Sequence, residues 1–252
     1  MRKQRRLKVA WTSNAQWATS GYGSQTQDME KMFIKAGWNT DNFSLINMWG
    51  QQGAPFLDEH KILNFPIMNH TGGSDAMLHH GNNWGADIVI GLFDIWVQNP
   101  QDLSGIKRFI PWVPVDYDPP SKGILGNLRF ANRIIAMSKF GQQKLREAGF
   151  MSTYIPHHVD TKIFHPIDKI TVKEGFKINP QTVVFGMVAE NKSLISRKSY
   201  QQVLDAYKLF LQKSKQPSLL YIHTNPDFPG GFPIKQYAEF LGINQNLAFP
   251  DM

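Results

Sequence analysis

Cysteine is absent from the 252 residues, so no disulfide framework holds this chain, and the expected location is cytoplasmic. No apolar run approaches the roughly 18 residues of a membrane span. Charged residues make up only 19% against 42% hydrophobic, a balance that excludes a disordered chain and supplies one large or two modest α/β cores. Acidic residues are the scarcer sign: 20 Asp and Glu against 27 Lys and Arg leave a formal charge of +7. Four of the cations are Arg2, Lys3, Arg5 and Arg6. The apolar stretch after them, Leu7 to Trp11, is too short for a signal peptide. This basic N-terminus is either a solvated tail or a peripheral contact for anionic membrane or nucleic acid. Helix-turn-helix, zinc and RNA-binding signatures are lacking, which makes a nucleic-acid-binding or nucleic-acid-modifying protein the weakest of the classes considered.

What is present is a repeated alternation of buried strand and amphipathic helix, which predicts parallel sheets. Leu7 to Trp11 reads as a first strand and runs through Thr12-Ser13-Asn14 into Ser20-Gly21-Tyr22-Gly23-Ser24. A helix then continues to Ala36 and stops at Gly37. Strand, glycine turn and helix form the setting in which backbone amides hold an anion, and also an ordinary tight turn. The third glycine of the dinucleotide fingerprint and the Gly-Lys-Ser/Thr of a P-loop are both missing, so NAD binding and ATP hydrolysis are poorly supported. Asn42 to Leu45 and Lys61 to Pro66 are further strands, flanking the loop Trp49-Gly50-Gln51-Gln52-Gly53. Ser74-Asp75 is placed to cap a helix through Asn82. His79 and His80 on that helix are adjacent and point apart, so they read as surface or packing residues and not as a metal pair.

Asp87 to Leu92 is a buried strand with Asp94 and Trp96 just past its C-terminal end, where open α/β sheets bind ligands. Asp94 is placed either to orient an acceptor hydroxyl and take its proton, or to cap the next segment. Lys107 to Val115 is another strand, followed by Asp116, Tyr117 and Asp118 among prolines, a turn whose acids either bond local backbone or face a ligand. No metal is assigned to them. Arg133 to Pro166 contains strand (Arg133 to Met137), helix (Lys139 to about Ala148, stopped by Gly149) and strand (Thr153 to Pro156), a βαβ unit. Ile167 to Pro180 is lysine-rich, lacks clean periodicity and reads as a linker. A second series then starts: strand Thr182 to Val188, a polar loop carrying Asn191, Arg197 and Lys198, helix Ser199 to Lys213, strand Leu219 to Thr224, helix Phe232 to Leu241 and a last strand from Leu247. An Arg-Lys pair at a strand-to-helix junction is either a solvated surface pair or a clamp for phosphate oxygens, the guanidinium forked and the ammonium a point charge.

The order of these patches resembles the nucleotide-sugar-dependent glycosyltransferases of the GT-B fold, in particular the retaining family-4-like group. That group carries IP-x-G-V-D-x-x-x-F-x-P at the end of its first domain. Here Ile155-Pro156, Val159-Asp160, Phe164 and Pro166 fall in that spacing, with His158 in place of the glycine. Gly186-Met187-Val188, Asn191, Arg197 and Lys198 are similar to a subgroup reading GMVAxN…RKG, with Met187 where many members have arginine and Ser199 in place of the last glycine. Leu220 to Thr224 and Phe249-Pro250-Asp251 are similar to LYLHT and FPD of the same subgroup.

The resemblance implies an α/β GT-B architecture of two Rossmann-like domains with parallel sheets. Residues 1–166 would form the acceptor-side domain, 167–180 the linker, and 181–252 the first half of the nucleotide-sugar domain. It implies a hexosyltransferase of carbohydrate biosynthesis that moves a hexose from a nucleoside diphosphate sugar to a hydroxyl acceptor with retention. No cofactor or obligatory metal is expected beyond that donor. Arg197 and Lys198 would stabilise the leaving diphosphate, with Gly21, Tyr22, Gly23 and Asn191 beside it. Asp94, Trp96, Asp116 and Tyr117 would face the acceptor, and Asp94, Asp116, Arg197 and Lys198 would be the catalytic set. The second domain, at roughly 70 residues, is about half of a doubly wound domain, and the group's E-x7-E stretch has no counterpart before Met252. A fragment, a partner chain that completes the domain, and a non-catalytic binding or assembly module are the alternatives this leaves.

Overall fold

The computed structural model describes residues 6–195 and 197–250. The chain divides between Asp160 and Thr161 into two compact units. The basic residues Arg2, Lys3 and Arg5 lie outside the described residues, as do Ser196 and Asp251.

The first unit is an eight-stranded sheet. Its strands are β1 (Val9–Asn14), β2 (Phe43–Trp49), β3 (Phe56–Leu57), β4 (Leu63–Phe65), β5 (Ile88–Leu92), β6 (Phe109–Val113), β7 (Ile135–Ala136) and β8 (Thr153–Tyr154). They lie in the order β3-β4-β2-β1-β5-β6-β7-β8. All pairings are parallel except that of β3 with β4. Helices α1 (Gly21–Lys35), α2 (Ser74–Trp84), α3 (Pro100–Ser104), α4 (Lys122–Leu128) and α5 (Lys139–Glu147) connect them. Side-chain alternation along the strands feeds two cores. Val9, Trp11, Phe43, Leu45 and Leu92 enter one; Ala10, Ile46, Met48 and Val89 enter the other. Parallel strands covered on both faces need apolar residues on both sides, which is why they read as continuous hydrophobic runs. The chain leaves β1 toward β2 on one side and returns to β5 on the other, so the C-terminal ends of β1 and β5 flank the point where strand order reverses.

The second unit holds α6 (Lys169–Gly175), β9 (Val183–Val188), α7 (Tyr200–Lys213), β10 (Ser218–His223), α8 (Ile234–Leu241) and β11 (Leu247–Ala248), with parallel strands in the order β11-β10-β9. Its core packs Leu220 and Ile222 of β10 against Tyr200, Leu204 and Tyr207 of α7 and Ile234 and Ala238 of α8. β9 is an edge strand of the described sheet, with Val183, Val184, Phe185 and Val188 all more than a third exposed.

Three local expectations change. Residues 167–180 carry a helix, α6, whose cap Asp168 accepts from Thr171 N at 2.8 Å. None of its residues is buried, so no apolar stripe announced it. Ser74 and Asp75 do not cap α2. The N-cap is Gly73 at φ 77°, Ser74 Oγ donates to Asp102 at 2.7 Å, and Asp75 turns back to accept from the amides of Asn69 and His70. Gly21, Tyr22 and Gly23 form the first turn of α1 and not a loop ahead of it. His80 is a packing residue, stacked on Phe65 at 4.8 Å between ring centres.

A polar tie joins α1 to the β3–β4 hairpin. Glu30 of α1 is 2% exposed and its carboxyl shares a hydrogen bond with Asp58. Asp58 also accepts from the amides of His60 and Ile62, from Asn64 Nδ2 at 2.7 Å and from Gln16 Nε2 at 3.3 Å. Burial, then Asp58, pushes the Glu30 carboxyl up to about 8.

Candidate functional site

On the first unit the strand exits assemble an acidic cluster around a phenol. At the end of β1, Asn14 Nδ2 donates to Ser20 Oγ at 2.8 Å, and Ser20 Oγ accepts the Gly23 amide at 3.0 Å as the N-cap of α1. This fixes Tyr22 on the first helical turn. Its hydroxyl donates to Asp94 Oδ1 over a long 3.4 Å. Burial foremost, then the charge of Asp94 and, more weakly, that of Asp116 hold the Tyr22 phenol well above its ordinary range. Tyr22, Asp94 and Asp116 are therefore brought together, because the strands that deliver them, β1, β5 and β6, are neighbours in the sheet. Asp94 precedes a short 3₁₀ turn, Ile95–Val97, but its side chain caps no amide there. Of the two uses open to it, capping is not the one this geometry shows. Asp118 is taken by Lys144 at 2.7 Å; Asp116, exposed like it, pairs with no cation among the described residues. Trp96 and Tyr117 are both exposed, Trp96 backed by the α4 residue Gly123, whose Cβ would come within 3.3 Å of Trp96 Cβ.

The glycines of the first turn have unequal roles. A Cβ on Gly23 would stand 2.2 Å from the Ala18 carbonyl oxygen and 2.9 Å from that of Ala15. Its bareness serves the loop laid across the helix start, and its amide is already engaged by Ser20. The Gly23 amide, expected beside a diphosphate, is the donor of that cap. Gly21 has open space on its Cβ side.

On the second unit the loop between β9 and α7 forms a cleft of about 260 Å³ lined by Glu190, Asn191, Lys192, Arg197, Lys198 and Tyr200. Asn191 is 2% exposed. Its Nδ2 donates to Phe232 O at 2.9 Å and its Oδ1 accepts Phe232 N at 2.7 Å. A buried amide bonded at both ends to one residue anchors the loop, so Asn191, expected beside the diphosphate, holds the segment that carries Arg197 and Lys198. Tyr200 holds the other end of the loop through its hydroxyl, which donates to Ala189 O at 2.7 Å and lies 3.2 Å from Thr224 Oγ1. Lys192 is neutralised by Glu190 at 2.6 Å. Arg197 and Lys198 are exposed and, among the described residues, pair with no carboxylate. Met187 packs into the core of the unit, so Arg197 is the guanidinium available at this strand end.

Ser199 was not singled out as a working residue, yet its backbone directs the junction. It sits at φ 59°, ψ 37° at the N-cap of α7, and its side chain caps no amide. The helix start therefore keeps unmet donor capacity beside two cations, the arrangement that attracts an anion. A left-handed backbone favours glycine, which explains why the resembling subgroup has glycine here. Ser199→Gly is expected to raise stability by about 1 kcal/mol, read as an increase in the denaturation midpoint. A decrease would show that the serine side chain holds the turn. His158, the other departure from a glycine, is not among the residues with positive φ. It is held instead by Asp28 at 3.3 Å and by Gln25 Nε2, which donates to its carbonyl oxygen at 3.1 Å.

Among the described residues, no cluster of His, Asp or Glu is placed to hold a metal ion, and no helix is long and apolar enough to cross a membrane. No family model and no curated protein sequence matches this chain. Solved structures do match. A glycosyltransferase from Rickettsia africae ESF-5 aligns over 98% of this chain and 68% of its own, with TM-score 0.63 and 12% identity. Anabaena HepE, in complex with UDP and glucose, aligns over 97% of this chain and 69% of its own, with TM-score 0.61 and 12% identity. A trehalose-6-phosphate synthase, analysed for glycosyltransfer with retention, aligns over 97% of this chain and 73% of its own, with TM-score 0.61 and 12% identity. The fold is the GT-B type that the motifs led us to expect.

Proposed function

We propose that this protein transfers a hexose from a nucleoside diphosphate sugar to a hydroxyl acceptor, with retention of anomeric configuration. The observation that carries this is the β9–α7 junction, where Arg197 and Lys198 stand beside an uncapped helix start. In the transfer, the bond from the anomeric carbon to the diphosphate oxygen breaks and a bond from the same carbon to the acceptor oxygen forms. Negative charge grows on the diphosphate as it leaves. Fixed cations and helix amides aimed at that charge stabilise the transition state more than the ground state. Asp94 and Asp116 face the acceptor, and Asp94 orients its hydroxyl and takes its proton. Tyr22 positions Asp94. Trp96 and Tyr117 supply exposed rings on the acceptor side. The GT-B neighbours support the donor class: one of them holds UDP and glucose.

Titration calorimetry with UDP, GDP and ADP tests the junction. Arg197→Ala and Lys198→Ala are each expected to weaken the preferred diphosphate about 10-fold, the low end for a charge-assisted contact because both side chains are exposed. Unchanged affinity in both variants would remove the basis of the assignment.

One observation favours a second possibility, a GT-B-like assembly module whose second unit is covered by a partner chain. β9 is open along its edge, and beside the sheet an apolar groove of about 920 Å³ is lined by Ile167, Val172, Phe176, Val183, Leu219 and Phe249. Open strand edges and apolar faces of this kind invite association. Sedimentation of the protein separates the two: a monomer that binds diphosphate and turns over donor supports the enzyme alone.

A further inference from the structure

The first unit carries a group of exposed aromatic side chains that neither core uses. Trp17, in the loop after β1, is 44% exposed, Trp49, at the end of β2, is 50% exposed, and Phe56 of β3 is 41% exposed. Trp17 and Phe56 pack on each other, and the Trp49 backbone is bonded to the loop that carries Trp17. Trp17 and Phe56 have ring centres 5.6 Å apart with planes inclined by 39°. Trp17 Nε1 donates to Gly50 O at 2.7 Å, and Ala15 N donates to Trp49 O at 2.7 Å. Those two bonds hold the loop and the strand end together. Gly50, at φ 98°, lets the chain pass close beneath: a Cβ there would meet Ala15 Cβ at 3.0 Å. Trp17 is exposed with its ring tied to Gly50 O and leaning on Phe56, so little of its side-chain entropy remains to be lost on binding, and Trp49 is exposed on the adjoining strand end.

Charge selects the occupant. No Asp, Glu, Lys, Arg or His occurs from Thr12 to Gln27, and none from Asn42 to Leu57. The shelf is aromatic rings among Gln, Asn, Ser and Thr. The turn that flanks it, Asp58-Glu59-His60-Lys61, carries two acids and one lysine. An anionic membrane or a nucleic acid needs lysines and arginines at its contact surface, and the two segments that build this one hold none. A sugar ring suits it: its C–H face packs on an aromatic face, and its hydroxyls bond to amide and hydroxyl side chains without needing a counter-charge. We propose that Trp17, Trp49 and Phe56 form a subsite for a sugar ring of a neutral glycan. In the glycosyl-transfer reading, on which only this assignment of role rests, that glycan is the acceptor. β2 and β5 flank β1 in the sheet, so the shelf at the end of β2 lies about 10 Å along the sheet edge from Asp94. An acceptor that spans both is a disaccharide or longer.

Saturation-transfer NMR with cellobiose, lactose and maltose tests this on the protein without any donor. At least one disaccharide is expected to receive saturation on its ring C–H protons. Trp17→Ala and Trp49→Ala should weaken that disaccharide about 10-fold with far-UV circular dichroism unchanged, while Trp49→Phe should retain it. Arg197→Ala should leave the signal intact, and both tryptophan variants should leave UDP affinity intact, so the subsite and the diphosphate site fail separately. Absence of transfer to all three sugars, or transfer indifferent to Trp17 and Trp49, overturns the proposal. So does tryptophan-dependent binding to phosphatidylcholine–phosphatidylserine vesicles in place of sugar.

Discussion

Glu30→Gln is expected to make the protein more stable at pH 8 than the wild type and to flatten its stability against pH. A buried carboxyl raised to about 8, against about 4.3 unfolded, binds its proton in the folded state while the unfolded chain has released it. Stability therefore falls as pH rises. The contribution is complete below about 4.3, declines between there and 8, and is gone above 8. By pH 7 the decline is on the order of 3 kcal/mol. Asp58 acts in the opposite sense. Its carboxylate is held below the ordinary range by the Ile62 amide, Glu30, Asn64 and Gln16, which together outweigh its own burial. Its contribution is present above the unfolded carboxylate range and is lost as pH falls through its lowered value. Glutamine keeps a donor to Asp58 without a titrating proton, so only the alkaline loss should disappear. Melting temperatures between pH 5 and 9 should fall for the wild type and stay level for Glu30→Gln, with a gap of roughly 10 °C near pH 8. Parallel curves would mean that Glu30 is not the group responsible.

Much of this fold was legible because its strands are apolar on both faces. Asp87 to Leu92 and Thr182 to Val188 stand out of any polar background, and the observed strands Ile88–Leu92 and Val183–Val188 lie within them. The short elements were not. α3 and α4 are capped by Asn99 and Ser121, whose side chains accept from Gln101 N and Ile124 N, but each is too short to show a periodic stripe. The prolines before α4 read first as a turn. α6 buries nothing at all, and without a buried face a helix has no hydrophobic signature.

The site divides along the same physical line. That Asp94 and Asp116 lie near one another was legible because each follows a strand, and strand ends gather at one edge of a parallel sheet; Tyr22, expected beside the diphosphate, bonds to Asp94. What Asn191 bonds to was not legible because its partner is local only in space. Phe232, 41 residues beyond Asn191, takes up that side chain, and the Ala18 carbonyl takes the room beside Gly23. Ser199 shows the reverse case. A resemblance to a glycine marked a backbone conformation that the serine still adopts, whereas at His158 the same kind of resemblance marked none.

Asp94→Asn is expected to lower donor turnover by about 100-fold or more while leaving UDP affinity unchanged. Asparagine retains an oxygen for the Tyr22 hydroxyl, so the change removes the charge and the proton acceptor but little of the packing. Asp94 is the half-buried acid at the switch point of the sheet, and the one that receives the phenol. Asp116, exposed on the neighbouring strand exit, is better placed to bind than to take a proton, so Asp116→Asn should act mainly on the KM for acceptor. Tyr22→Phe separates orientation from charge. With the phenol gone, Asp94 keeps its negative charge and loses one partner that fixes its direction, so kcat should fall by about 10-fold. The acidic limb of the pH–rate profile, set by the carboxylate, should disappear in Asp94→Asn and survive in Tyr22→Phe. Turnover of Asp94→Asn within about twofold of wild type would take the proton-accepting role away from Asp94, and an acidic limb abolished by Asp116→Asn instead would transfer it to Asp116.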